Sequence, residues 1–440
     1  RNHYPLAATQ MSCRYDIVVY GATGFTGGYI VRALATSAQF KGKTIAVAGR
    51  SEEKLRALLE ELTRETGVHD VSQYEVLIAD SSNEESLAAM ARQARVIINA
   101  VGPYILYGEA VVRAAVENGA CHVDISGEPA FLERMVQKYD KAAREKGVYI
   151  VGACGFDSIP CDLGTEFLKR NFEGTLAYVE TFARMNQGSA GYPVNTGTYE
   201  SMLLGVSSLL DRNVRQVHRE IMSDPMPQPK YTIPFRIPLS RQPLPKALAW
   251  CVPFPFADKP IVDRSQYYDF HVNNKRVVQI SSYITLGSLF KTILSIIWLS
   301  VISFFALFSR SREFLKAHPE MCSFGMFRRN GPTKQQIGEA SFDYFIFGTG
   351  WGQGEEVDKE RPAKKVVAVC HGPDPGYVGT SACITSAALA LLDDNEKLPK
   401  EGGVYTTATA FRETQIFEYL RNMGVTFAIQ DREKKEGQLL

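Results

Sequence analysis

The feature that most constrains this chain is a short strand running straight into a glycine-spaced turn. Arg14 to Tyr20 reads RYDIVVY, a β-branched run, and Gly21-Ala22-Thr23-Gly24-Phe25-Thr26-Gly27 follows without a gap. A helical pattern then continues through Leu34. Glycines at such a junction let the backbone turn sharply, approach a diphosphate and aim amide N–H groups at it, with the helix N-terminus adding partial positive charge. The spacing is G-x-x-G-x-x-G rather than G-x-G-x-x-G, and glycines alone also fit a plain tight turn. Their place between strand and helix, at the head of a βαβ unit, favours a dinucleotide.

The alternation continues. Strands are expected at 45–49, 74–79, 96–100, 121–125 and 148–152, with helices near 84–92, 108–118 and 130–146. Apolar strands alternating with helices predict a parallel sheet covered on both faces, an α/β fold. Four hundred and forty residues leave room for two or three domains at roughly 150 residues each. Forty-nine Lys and Arg against forty-eight Asp and Glu give a net charge of +1. That balance supplies no global field for a polyanion, so no nucleic-acid partner is expected.

The ends of the strands separate one cofactor from another. Where an NAD enzyme places Asp or Glu on the ribose 2′-hydroxyl, this chain has Gly49-Arg50-Ser51, with Lys54 one helical turn later. A carboxylate there would repel a 2′-phosphate, whereas Arg50 can grip it, so NADP(H) is expected over NAD(H). Ser51, before Glu52 and Glu53, reads as a helix N-cap. Asp80 either accepts from the adenine amino group or caps the helix near Glu84. Asn99, Val101, Gly102 and Pro103 end the fourth strand and are expected beside the nicotinamide half. Asp124 and Glu128 follow the fifth strand at the same edge.

In this order, GATGFTG at 21–27, AGRS at 48–51, NAVGPY at 99–104, DISGE at 124–128 and GFDSIPCDLG at 155–164 resemble the saccharopine dehydrogenase-like oxidoreductases. GPTKQQI at 331–337 and GGVYT at 402–406 extend the likeness over nearly the whole chain after Met11. The animal branch, associated with membranes and lipid droplets, is the nearest in pattern. The resemblance implies an N-terminal Rossmann-type domain for NADP(H), over 11–165. An α+β substrate or dimerisation domain would follow at 166–400, with 401–440 returning to the first domain. It leaves a homodimer open. Thr406-Thr407-Ala408 departs from the branch's threonine-proline-glycine, which puts the loop near 405–410 in question.

Hydride transfer to a polar double bond usually needs a proton donor. Tyr104, Tyr107, Asp124, Glu128 and Asp157 are the candidates near the expected crevice, although each also fits a packing or bracing role. Seven histidines with no H-x-x-x-H or H-E-x-x-H spacing predict no metal site. Eight cysteines without a C-x-x-C pair read as reduced thiols of a cytosolic protein. Arg1 to Gln10 hold no apolar run of signal-peptide length and read as a leader or cloning remnant, so export is not expected.

One segment stands apart. Thr292 to Phe308 holds seventeen consecutive uncharged residues, followed by Arg310, Arg312 and Lys316; a further apolar turn or two reaches back to Tyr283. A bilayer crossing needs about 20 residues. A span here would also divide one fold between two sides of the membrane. The segment 288–308 therefore reads as a helix or hairpin in one leaflet or on a lipid-droplet monolayer, with a buried core or dimer helix as the alternative. Prolines between 225 and 260, ten of twenty-one, predict a long irregular wrap, and a strand is expected at 266–286. The function expected is an NADP(H)-dependent reductase of a lipophilic small molecule at the cytoplasmic face of membranes or lipid droplets. The alternative is a catalytically silent NADP(H)-binding scaffold or redox sensor.

Overall fold

The computed structural model describes residues 14–156, 158–208, 211–234, 240–244, 247–254 and 257–430. The expected leader at 1–10 and Asp157 lie outside the described residues. Six strands open the chain: β1 (Tyr15–Tyr20), β2 (Ile45–Gly49), β3 (Glu75–Ile78), β4 (Ala94–Asn99), β5 (Cys121–Asp124) and β6 (Tyr149–Val151). Between them run α1 (Phe25–Thr36), α2 (Glu52–Thr66), α3 (Glu84–Arg92), α4 (Tyr104–Asn118) and α5 (Pro129–Lys146). All pair in parallel, in the order β6-β5-β4-β1-β2-β3. Successive residues of β1 feed opposite layers: Ile17 and Val19 join one core, Val18 and Tyr20 the other. Burial on both faces explains why these strands read as unbroken apolar runs. The sheet reverses its winding between β1 and β4, where open α/β sheets hold their ligands.

After α6 (Ile159–Asn171) the chain builds a second sheet from β7 (Thr175–Asn186). A two-residue strand, β8 (Val194–Asn195), leads into α7 (Thr196–Ser208) and α8 (Arg212–Ile221). Then come β9 (Ser240–Leu244), β10 (Ala247–Pro253), α9 (Asp258–His271) and β11 (Gln279–Leu286). The apolar helix α10 (Leu289–Ala306), α11 (Ser309–Ala317), β12 (Phe327–Arg328), β13 (Ser341–Trp351) and β14 (Lys364–Pro373) follow. β15 (Gly403–Tyr405) joins β6 in the first sheet, while β16 (Thr426–Gln430) joins β14 in the second. The second sheet has the order β16-β14-β13-β7-β11-β10-β9 and only β7 and β11 run parallel in it. This is the expected architecture, a Rossmann-type sheet followed by a mixed α+β unit.

Three local expectations give way. The strand expected at 266–286 begins as helix α9, because Pro260 suits a first helical turn and Lys259 pairs with Asp263 one turn on. The apolar turn reaching back to Tyr283 is β11. The proline-rich stretch contains the paired strands β9 and β10 at the sheet edge, where Pro243 can be tolerated. Helix Thr380–Asp393, uncharged until its last residue, is buried from Thr380 to Leu392 and packs against α1, β4 and β5.

Candidate functional site

Three glycines shape the first strand-to-helix turn. Gly21 has φ +85°, and a Cβ on it would lie 2.6 Å from Val101 Cγ2 and 3.2 Å from the Ala100 carbonyl carbon. A Cβ on Gly27 would lie 2.1 Å from Gly21 O, so the loop folds over its own helix only because that atom is missing. Gly21 N–H donates to Ala48 O (2.9 Å) and Gly24 N–H to Gly21 O (2.9 Å), which fixes the turn. Gly24 is the N-cap of α1 and brings no side-chain acceptor, leaving the first-turn amides of Phe25, Thr26 and Gly27 for an outside anion. Thr23 and Gly24 are exposed at the rim, and Ala22 is buried beneath.

Arg50 leaves the end of β2 exposed. Ser51 is the N-cap of α2, its Oγ accepting from Lys54 N–H (3.4 Å), and Lys54 is exposed beside it. Asp80 does not cap the third helix. Asn83 does, accepting from Ser86 N–H (3.1 Å), while Asp80 Oδ1 accepts from the Ser82 amide and hydroxyl, both at 2.8 Å. Those bonds, helped by the Arg50 charge, hold the Asp80 carboxyl below its usual range.

At the end of β4, Asn99 Oδ1 accepts from Val101 N–H (3.0 Å) and the Gly102–Pro103 bond is cis. Glu128 receives Tyr104 N–H (3.0 Å) and Ile105 N–H (2.7 Å) on its two carboxylate oxygens, closing the first turn of α4. Tyr104 OH donates to Asn99 O (2.9 Å), and burial drives its pKa well up. Asp124, 1% exposed, accepts from Ser126 N–H (2.9 Å) and Ala153 N–H (3.0 Å) on Oδ1. Burial pushes its carboxyl up to about 7 against those hydrogen bonds. Its Oδ2 lies 3.8 Å from Nδ1 of His122, which burial drives down to about 3. Tyr104, Asp124 and Glu128 thus meet around the ends of β4 and β5, while Tyr107 is exposed on α4. Arg184 pairs with Asp343 (2.5 Å) in the second sheet.

The model of the saccharopine dehydrogenase NADP-binding domain matches residues 17–151. A lipid droplet localized protein of Caenorhabditis elegans is 49% identical over 420 residues, covering 95% of this chain and 98% of the relative. The saccharopine dehydrogenase-like oxidoreductase of Homo sapiens is 37% identical over 420 residues, covering 94% of this chain and 97% of its own. This chain belongs to the saccharopine dehydrogenase-like oxidoreductases. Apo saccharopine dehydrogenase (L-Glu forming) from Saccharomyces cerevisiae shares the fold at a TM-score of 0.51 and 12% identity, over 94% of this chain and 99% of that one. The N-terminal unit of this family member is an NADP-binding domain, and the glycine cradle with its unspent amides fits the diphosphate.

The oxidoreductase roofs that cradle with residues from far along its sequence. The Phe25 ring meets the Tyr377 ring edge-on at 4.6 Å. Gly331, φ +61°, sits so close that a Cβ would lie 2.9 Å from Phe25 Cζ. The GPTKQQI motif ends in a capping box: Thr333 Oγ1 accepts from Gln336 N–H (3.3 Å), and Gln336 Oε1 from Thr333 N–H (2.9 Å). Sequence reasoning missed this clasp, although Gly331 next to a proline was a visible turn signal. The departure at Thr406-Thr407-Ala408 forms a short helix held by Asp162, which accepts from Thr407 Oγ1 (2.8 Å) and Ala408 N–H (2.7 Å).

Proposed function

We propose that this oxidoreductase is an NADP(H)-dependent reductase of a small lipophilic molecule, taken up at the cytosolic face of a membrane or lipid droplet. The observation that carries this reading is the position of α7. On one side its Ser201 approaches Gly102, where a Cβ would lie 3.9 Å from Ser201 Oγ, and lies near enough to Glu128 to favour its carboxylate against burial. On the other, Tyr199, Met202 and Leu203 pack against Ile302 and Ala306 of the apolar helix α10. One helix therefore borders both the nicotinamide end of the crevice and the apolar surface. That the C. elegans relative is named for lipid droplets supports the same location.

In this reading the first-turn amides of α1 hold the diphosphate, Arg50 with Lys54 holds the 2′-phosphate, and Asp80 faces the adenine. Asn99 to Pro103 border the nicotinamide. NADPH, when bound, supplies hydride. Tyr104 and Glu128 are enclosed and bonded to backbone groups, as is Asp124 through Oδ1, and in this reading water supplies the accompanying proton. The same enclosure favours a second reading, a silent NADP(H)-binding scaffold or redox sensor.

Fluorescence titration tests the cofactor assignment. Wild type should bind NADPH more tightly than NADH, and Arg50→Glu should cost NADPH about 2–3 kcal/mol while sparing NADH. Equal affinity of wild type for both would remove the 2′-phosphate argument. Single-turnover oxidation of bound NADPH on addition of lipid extract separates the reductase from the scaffold.

A further inference from the structure

Helix α10 touches α7, α11, β10 and β11 along one side, through Thr292, Ile302 and Ala306. Its other side presents Phe290, Leu294, Ile297, Val301 and Phe304, all exposed and spaced by four and three residues into one stripe. At 1.5 Å per residue that stripe runs about 21 Å along the surface. Trp298, at the flank of the stripe, donates from its indole N–H to Cys322 O (2.8 Å) and stacks on Phe327. The turn at 322–326 therefore lies alongside the helix.

That turn is unusual in its own right. Phe324 adopts φ +52°, a left-handed conformation rare for an aromatic residue, and is 87% exposed. Backbone bonds from Ser323 N–H to Pro319 O (3.0 Å) and from Gly325 N–H to Glu320 O (2.8 Å) hold it there. Met321 and Met326 are exposed on either side. Arg328 and Arg329 follow, their guanidinium groups bonded to the carbonyls of Gly325 and Ala317, with no carboxylate partner among the described residues. Residues 288–330 carry six Lys or Arg and two Glu.

We propose that the Phe324 turn is a second membrane contact, a phenyl wedge with an arginine pair that inserts beside the α10 stripe into a leaflet bearing anionic phospholipid. It rests on the membrane reading of α10 given above. An apolar ring with cations behind it matches acyl chains beneath negative headgroups, and a helix bound along one side to its own protein lies flat in a leaflet. The excess positive charge of residues 288–330 also works against pairing this segment with a second copy of itself.

Flotation of the full chain tests the proposal, with vesicles of phosphatidylcholine alone and with added phosphatidylserine. Wild type should float with the mixed vesicles and several-fold less with phosphatidylcholine. Phe324→Ser should lower partitioning about tenfold, and Arg328→Glu with Arg329→Glu should abolish the preference for phosphatidylserine. Each variant should keep wild-type NADPH binding, which reports the fold. If Phe324→Ser floats like wild type while Phe290→Ser, Ile297→Ser and Phe304→Ser together prevent flotation, the wedge fails and the helix reading survives. If wild type ignores both vesicles and elutes as a dimer that the triple substitution dissociates, both fail.

Discussion

In the reading proposed above, the crevice loop and the apolar helix serve as two recognition surfaces made of different material. Residues 21–27 offer backbone: the turn that presents the α1 amides forms because Gly21 and Gly27 lack a Cβ where one would strike Val101 or the Gly21 carbonyl. The outward side of α10 offers only exposed side chains, and for the proposed lipid contact any large apolar residue at 290, 294, 297, 301 or 304 would serve. A backbone site is intolerant atom by atom. A side-chain surface degrades gradually as area is removed. Substitutions should show the two behaviours side by side.

The largest effect is expected at Gly27. A methyl group there meets backbone oxygen at 2.1 Å rather than a flexible side chain, so the loop must open and turn the α1 amides away from the diphosphate. Gly27→Ala should weaken NADPH binding by more than about 3 kcal/mol, over a hundredfold, by fluorescence titration. Unchanged affinity would place the cofactor elsewhere and remove the distinction between the two surfaces.

What could be read from the sequence divides along the same line. The strand-to-helix turn at 21–27 was legible because a glycine triplet between a β-branched run and a helical pattern has few physical uses. The parallel sheet was legible because strands buried on both faces are apolar throughout, as β2 is from Ile45 to Gly49. The existence of an apolar helix was legible from Thr292 to Phe308, but its one-sided docking was not, because both sides are apolar. Ile302 faces α7 and Ile297 faces solvent, and composition does not distinguish them. Glu128 was equally ambiguous: a carboxylate near a crevice looks like an acid, and only the fold shows it receiving two amides of α4. The clasp on Phe25 by Gly331 and Tyr377 joins residues more than three hundred positions apart, which no local pattern encodes.

A pair of isoleucines on α10 sharpens the contrast. Ile302 is 5% exposed against Tyr199 and Leu203, so Ile302→Ala leaves a cavity and should cost about 2–4 kcal/mol in chemical denaturation. Ile297 is 55% exposed, so Ile297→Ala should change stability by less than about 0.5 kcal/mol in lipid-free buffer. In vesicle flotation the order should reverse, with Ile297→Ala weakening binding per folded molecule and Ile302→Ala leaving it unchanged. Equal stability losses from both would mean that the outward stripe is already covered by protein.

The smallest effect expected lies beneath the crevice, in the pair Asp124 and His122. Asp124 titrates near 7 in the folded protein against 3.8 for the ordinary group. Its contribution to stability is therefore intact below about pH 4 and is lost as pH rises through 7. His122 titrates near 3 against 6.5. Its contribution is intact above pH 6.5 and is lost as pH falls towards 3. Between pH 4 and 6.5 the two slopes oppose each other, each at most about 1.4 kcal/mol per pH unit. Asp124→Asn keeps an Oδ1 acceptor for the Ser126 and Ala153 amides and removes only one of the slopes. The variant should gain about 2 kcal/mol on wild type between pH 4.5 and 6.5, measured by denaturant unfolding at each pH. A gap that stays constant with pH would mean that Asp124 is ionised throughout, and that its neighbours stabilise the carboxylate more than burial opposes it.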